Sequence, residues 1–236
     1  MSRPSSRSSA LELLDSPASI SSEIAENLAD IRRMNVRFGG ISLAIRCLRQ
    51  IVAGRPAVTL LDVATGSADV PLAQLKWAER AGFQLQVTAI DVSREVLSEA
   101  RNLISHDEVE LCLADARHLP WPDRSFDVVQ SCLALHHFEP SDARSVLMEM
   151  WRVARAGIVI TDLYRSRTAY LAARLATRLT ARSWVTRHDG PLSVLRSYTP
   201  SELATLAEVA GISGVRVRRH LFFRQSLIAI KAEHER

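Results

Sequence analysis

Two rhythms of apolar residues alternate along this chain. Ile24, Leu28, Ile31 and Phe38 fall on one helical face, and Gly39-Gly40 supplies a stop. A second helical pattern runs from Ile41 to Val52 and ends at Gly54 and Pro56. The first strand is expected at 58–63, where near-continuous apolar character suits burial on both faces of a parallel sheet. The pattern then predicts a helix over 70–81, a strand over 85–92, a helix over 93–104 and strands over 109–114 and 126–133. A helix over 141–153 and a strand over 157–163 follow. Strands alternating with helices argue for a parallel sheet with right-handed crossovers.

Beyond residue 164 the pattern changes. A long helical stretch leads to a segment at 184–197 that reads as irregular, because His188-Asp189-Gly190-Pro191 interrupts any period. Thr199-Pro200-Ser201-Glu202 then has the form of a helix start, with a capping threonine, proline at the first position and a glutamate to complete the box. Two closing strands, 215–223 and 225–232, read as an antiparallel pair. The expected fold is a doubly wound α/β sheet of seven strands, mostly parallel, with helices on both faces and an N-terminal helical extension. Residues 1–22 read as a flexible lead-in, 23–56 as a helical cap, and 57–236 as the main domain with a helical and irregular lid at about 165–198.

Composition narrows the class. With 47% apolar and 24% charged residues over 236 positions, the chain is neither disordered, fibrous nor a disulfide scaffold. No run reaches the ~18–20 apolar residues of a membrane span, and the first twenty residues lack the apolar core of a secretory signal. Cys47, Cys112 and Cys132 are too scattered for a disulfide framework or zinc site and read as free thiols of a cytoplasmic protein. Charge is uneven: residues 1–150 carry 15 basic and 20 acidic side chains, residues 151–236 carry 15 and 6. A basic C-terminal part can face an anionic partner or be a solvated surface.

The most informative stretches lie at the expected strand ends. After the first strand comes Leu61-Asp62-Val63-Ala64-Thr65-Gly66-Ser67-Ala68-Asp69, a carboxylate followed by small residues that let backbone N–H groups approach a ligand. The second strand ends at Ala89-Ile90-Asp91-Val92, where an acid can accept from both hydroxyls of a ribose. The third ends at Leu113-Ala114-Asp115-Ala116, where another acid can take the amino group of an adenine. A dinucleotide site needs glycines in the G-x-G-x-x-G pattern; here the positions hold Ala64, Gly66 and Asp69. An acid at the third is a poor neighbour for pyrophosphate and suits a cationic or zwitterionic nucleoside.

These runs, with Asp115-Ala-Arg-His-Leu-Pro-Trp-Pro-Asp-Arg-Ser-Phe-Asp-Val-Val129, resemble the class I S-adenosylmethionine-dependent methyltransferases, in particular their small-molecule and quinone branch. Asp30-Ile-Arg-Arg-Met-Asn35, Leu133-Ala-Leu-His-His137 and His188-Asp-Gly-Pro-Leu-Ser-Val-Leu-Arg196 are similar to methyltransferases found beside bacterial type III polyketide synthases. The resemblance covers about 57–232 and implies a Rossmann-like sheet, S-adenosylmethionine as cofactor, S-adenosylhomocysteine as product and no metal. The cofactor residues it implies are Asp62, Ala64, Gly66, Asp69, Asp91, Val92, Asp115, Ala116 and Ser131. Ala64 and Ala68 stand where that family usually has glycine, so the turn must keep φ negative there or carry strain.

Methyl transfer from a sulfonium is an in-line displacement that asks the protein to align the acceptor and remove a proton. A phenol or enol with a pKa near ~10 is helped by a general base, and histidine is the usual one. His188, beside Asp189, and then His136 are the expected bases; Arg33, Asn35, His137, Trp184 and Arg196 are the expected acceptor-binding residues. The expected acceptor is a small aromatic, quinone or polyketide-type molecule, methylated at oxygen or an activated carbon. Nucleic acid is the weaker alternative, since no Asn/Asp-Pro-Pro-aromatic run, Pro-Cys pair or RNA-binding module is visible. A third reading is a binder of the cofactor without catalysis. The helix over 168–182, with Arg167, Arg174, Arg178 and Arg182 beside Leu171, Leu175 and Leu179, offers a peripheral membrane contact, and the assembly expected is a monomer or homodimer.

Overall fold

The computed structural model describes residues 6–15, 21–104 and 109–232. Helices α1 (Ser21–Arg37) and α2 (Gly40–Val52) precede the sheet. Then follow β1 (Ala57–Val63), α3 (Asp69–Ala81), β2 (Gln84–Asp91), α4 (Arg94–Arg101), β3 (Glu110–Leu113), β4 (Phe126–Cys132), α5 (Pro140–Val153) and β5 (Ala154–Leu163). Helices α6 (Arg167–Thr180), α7 (Trp184–Arg196) and α8 (Pro200–Val209) lead to β6 (Arg216–His220) and β7 (Arg224–Ile230).

The seven strands lie in the order β3-β2-β1-β4-β5-β7-β6. The first five pair in parallel, and β7 runs antiparallel to both β5 and β6. The centre of the sheet is buried on both sides: every residue of β4 from Phe126 to Ser131 is buried. One face carries a core with Leu61, Val129, Leu147, Met150, Ile160 and Leu203, the other a core with Leu43, Leu48, Leu60, Val87, Val128 and Val159. Two cores of similar make-up explain why the strands read as continuous apolar runs rather than as alternations. Gly157 is dictated by the β5–β7 pairing, since a Cβ there would lie 2.3 Å from the Ala229 carbonyl oxygen.

The expected elements, their order and the Thr199–Glu202 capping box are present; Thr199 N donates to Glu202 Oε2 at 2.7 Å. Two readings need correction. The 184–197 segment is helical, with Pro191 inside α7. Ser183 caps it by accepting from Val185 N, and packing against α6 outweighs the intrinsic cost of Gly190 and Pro191. The described part of the lead-in, residues 6–15, is folded against the domain: Leu13–Asp15 form a 3₁₀ turn and Glu12 is buried. Residues 1–5 and 16–20 of that lead-in lie outside the described residues, as do 105–108 and 233–236.

Candidate functional site

Strand order reverses between β1 and β4, and a crevice opens there at the carboxyl ends of the strands, the place where open α/β sheets take ligands. The loop from β1 to α3 forms its floor. Ala64, Gly66 and Ala68 all have positive φ, at 56°, 57° and 55°. The turn therefore takes the strained alternative at both alanines, at about 1–2 kcal/mol each. Asp91, at the end of β2, accepts from Gly66 N at 3.2 Å and Ser93 N at 3.1 Å, which locks the loop to the neighbouring strand. Burial pushes the Asp91 carboxyl up, and those two N–H groups pull it back.

Asp62 is buried beneath the loop. Its Oδ1 accepts from Gln130 Nε2 at 2.9 Å, and Gln130 exchanges a reciprocal pair of amide bonds with Gln74. Burial pushes the Asp62 carboxyl up to about 7; Gln130 opposes the rise, and the charges of Asp69 and Asp91 add to it. Asp69 starts α3 and accepts from Asn35 Nδ2 at 3.0 Å. Ser131 lies opposite Val63 in the β1–β4 pairing, near the carboxyl ends of both strands, and is buried.

The nucleoside side is open and apolar beyond these acids. Val92 and Leu113, at the ends of β2 and β3, are exposed, which provides the surface an adenine ring needs for stacking. This pairing of exposed apolar side chains with a loop-anchored carboxylate fits S-adenosylmethionine. Asp115 follows β3, but Arg117 already binds it, with Nη2 at 2.7 Å from Oδ2, and holds its carboxyl below the usual range. Ala116 is buried in the core beside Leu119 and Phe126.

Past the end of β4 lies a cavity of about 220 Å³, and Asn35 on its wall reaches the β1–α3 loop through Asp69. Its walls are mostly apolar: Ile31 and Met34 from α1, Phe38 just after it, Leu133 and Leu163 from the strand ends, alanines of α6, and Phe222 from the β6–β7 turn. Three of the wall residues, Leu133, Phe222 and Phe223, have φ of 55–57°, a conformation bulky side chains rarely take. Strain of this kind collects at ligand sites, where the surrounding fold enforces it.

His136 and His137 enter this cavity from a 3₁₀ turn after β4 (Leu135–His137). Asp162, near the end of β5, fixes His136 twice: Oδ2 accepts its backbone N–H at 3.0 Å, and Oδ1 lies 2.7 Å from Nδ1. A carboxylate only accepts, so Nδ1 donates its proton to Asp162, and the other ring nitrogen, Nε2, is left facing Glu12. That Nε2 lies 3.6 Å from Glu12 Oε1, and His137 Nε2 lies 3.9 Å from Glu12 Oε2. Glu12 Oε1 is buried without a hydrogen-bond partner among the described residues. The ligand atoms of Glu12, His136 and His137 lie within 4.8 Å of one another, a spacing a cation could bridge. Arg196 Nε, 3.9 Å from Glu12 Oε1, already supplies positive charge there.

Other expected site residues lie elsewhere. The His188 side chain is 52% exposed, against 4% for His136, and does not line the cavity. Its neighbour Asp189 turns inward and accepts from Leu13 N and Leu14 N, both at 3.0 Å, which anchors the 6–15 strap across the cavity. Arg196 is fully buried and donates to the carbonyls of His136, His137 and Ala10, so it frames the histidine turn instead of meeting an acceptor. Arg33 pairs with Asp30 outside the cavity, and Trp184 is exposed with its indole N–H on Glu23. Asn35 and His137 do line it. Three residues have no place in the sequence expectations: Glu12, Asp162 and Arg224, a buried wall residue whose Nε donates to the Phe38 carbonyl at 3.1 Å; Asp162 alone had a signal, as another acid near a strand's carboxyl end.

Residues 60–157 match a family described as methyltransferase domain. The ubiquinone/menaquinone biosynthesis C-methyltransferase UbiE of Desulfotalea psychrophila is 36% identical over 106 residues, 44% of this chain and 41% of that protein. The Cupriavidus necator enzyme of the same name is 32% identical over 105 residues. The chain thus matches less than half the length of these curated relatives. Among solved structures, an S-adenosylmethionine-dependent methyltransferase from Aquifex aeolicus covers 91% of this chain and all of its own, with TM-score 0.63 and 22% identity. The plantazolicin methyltransferase BpumL, solved with S-adenosylhomocysteine, gives TM-score 0.65 at 13% identity over 90% of this chain and 95% of its own. These structures share the fold.

Proposed function

We propose that this chain, which carries a methyltransferase domain on a class I sheet, is an S-adenosylmethionine-dependent methyltransferase acting on a small, largely apolar acceptor with an ionisable hydroxyl. When bound, the cofactor supplies an electrophilic methyl group on a sulfonium. The observation that carries the reading is the position of His136: buried, held by Asp162 through Nδ1, on the wall of a mostly apolar cavity at the carboxyl ends of β4 and β5.

Asp91 is assigned to the ribose hydroxyls, Val92 to the adenine face, and the loop from Ala64 to Asp69 with Asp62 beneath it to the amino-acid tail. Asp115, shared with Arg117, is assigned to the adenine edge, and Ser131 to the crevice wall. His136 Nε2 accepts the proton of the acceptor hydroxyl, and Asp162 steadies the resulting imidazolium. Glu12, Asn35 and His137 orient the polar end of the acceptor, while α1, α6 and the β6–β7 turn hold its apolar body and exclude water. Residues 165–198, with the 6–15 strap, act as the cover.

The relatives named for C-methylation in ubiquinone and menaquinone biosynthesis favour a quinol-like ring. Ionising a ring hydroxyl also activates the carbon beside it, so one base serves O- or C-methylation of an aromatic, quinone or polyketide-type acceptor. The test is incubation with methyl-labelled S-adenosylmethionine and a panel of phenols, pyrones and quinols. Label transfer abolished in His136→Ala and retained in His188→Ala supports the assignment. Tight cofactor binding with no transfer to any acceptor overturns it.

A further inference from the structure

Helix α6 is built inside out. Its inner face, which walls the cavity, is made of small residues: Ala169, Ala172, Ala173, Ala176 and Thr177. Its large apolar residues point the other way. Leu171, Leu175 and Leu179, spaced four apart on one row, are 61%, 60% and 72% exposed. A helix that only roofed a cavity in water would reverse this arrangement.

The neighbouring row holds Arg174 and Arg178 and continues to Arg182; all three are exposed and make no ion pair among the described residues. The helix contains no acidic residue. Just past its end stands Trp184, exposed although its N–H is held by Glu23. Among the described residues no helix is long and apolar enough to cross a membrane.

We propose that this face of α6 docks on an anionic lipid bilayer, with the helix in the interfacial plane. The leucine row enters the acyl boundary and the arginine row meets headgroup phosphates. Self-association fits poorly, because two copies meeting on this face would bring unneutralised arginine rows together. The proposal rests on the methyltransferase reading for its purpose: the same helix bounds the apolar cavity, so an acceptor dissolved in the bilayer lies one helix thickness from the site.

The test is flotation of the full chain with vesicles of phosphatidylcholine, with and without phosphatidylglycerol, in the absence of any acceptor. Binding is expected on the anionic vesicles only and weakens as salt rises. It should fall by at least about tenfold in Leu171→Ser/Leu175→Ser/Leu179→Ser and in Arg174→Glu/Arg178→Glu. Circular dichroism melting and cofactor calorimetry on each variant establish that folding and the crevice are intact. Failure of the wild type to float, equal binding by the triple variant, or a change of oligomeric mass in that variant without vesicle binding overturns the proposal. A chain that binds the cofactor but no vesicles overturns the docking face alone; one that floats but binds no cofactor overturns the methyltransferase reading alone.

Discussion

The two ends of the crevice are built on opposite plans. Around β1, β2 and β3 the site is polar, acidic and local: Asp62, Asp69 and Asp91 come from two successive strand-and-turn units, and one hydrogen bond from Gly66 to Asp91 joins them. Around β4 and β5 it is apolar and assembled from afar: Glu12, His136 and Asp162 meet across the length of the chain around a cavity walled by three helices. The contrast separates two tasks. A charged, constant ligand needs carboxylates with fixed partners, and a variable apolar acceptor needs a shaped space with few polar groups.

If this division holds, mutations should affect one end at a time. The largest effect is expected at the acceptor end. His136→Ala should lower kcat by about 10²–10⁴-fold and leave cofactor affinity within about twofold. Steady-state kinetics beside calorimetry checks this, and a matching loss of cofactor affinity would merge the two ends.

The next effect belongs to Asp62. Its folded-state pKa near 7 stands above that of an unfolded aspartate, so the folded protein binds the proton more tightly. The penalty from this residue is absent below about pH 4, grows between pH 4 and 7, and is constant above. Asp62→Asn, which still accepts from Gln130, should be the more stable protein by up to about 4 kcal/mol at pH 8 and no more stable at pH 4. A cationic cofactor should favour ionised Asp62, so wild-type affinity should rise with pH up to about 7 and lose that dependence in Asp62→Asn. Melting curves and calorimetry across this range read both.

Asp91→Ala should weaken S-adenosylmethionine by about 2 kcal/mol, roughly 30-fold, with the acceptor KM unchanged. Asp115→Ala should cost less, because Arg117 already shares that carboxylate. The smallest effect is expected at Ala64. Glycine there relieves the positive φ but adds freedom to the unfolded chain, for a net gain of at most about 1 kcal/mol. A loss of stability in thermal denaturation would mean that the alanine methyl group packs more than its backbone suffers.

The same contrast decides how much the sequence revealed. The centre of the sheet was legible because β1, β4 and β5 are near-continuous apolar runs with a turn at the end, and the nucleoside side because its acids sit at strand ends in order. His188-Asp189 misled although the pair does form, with His188 Nδ1 2.8 Å from Asp189 Oδ1: the imidazole is half-exposed and off the cavity lining, and the carboxylate is engaged by the strap. Glu12 was invisible, since a lone glutamate among leucines (Leu11, Leu13 and Leu14) gives no sign of burial, and what surrounds it, Arg196 and the histidine turn, lies far along the chain. The tight turn at Phe222 and Phe223 was equally hidden, because its positive φ falls on residues with none of the glycine or asparagine that normally marks such a turn.

The strap's attachment has a consequence for folding order. Leu13 and Asp189 are 176 residues apart, and the two backbone bonds to that carboxylate share the closure with Ser8 N on the Leu195 carbonyl, Arg7 on the carbonyls of His136 and Phe138, and Arg196 on the Ala10 carbonyl. Contacts so distant form late and give way early, while the sheet can stand without them. Amide hydrogens of Leu13 and Leu14 should therefore exchange far sooner than those of β4, and the front of the pocket can come and go on a finished scaffold, leaving a doorway whose hinge is the first thing to loosen on warming.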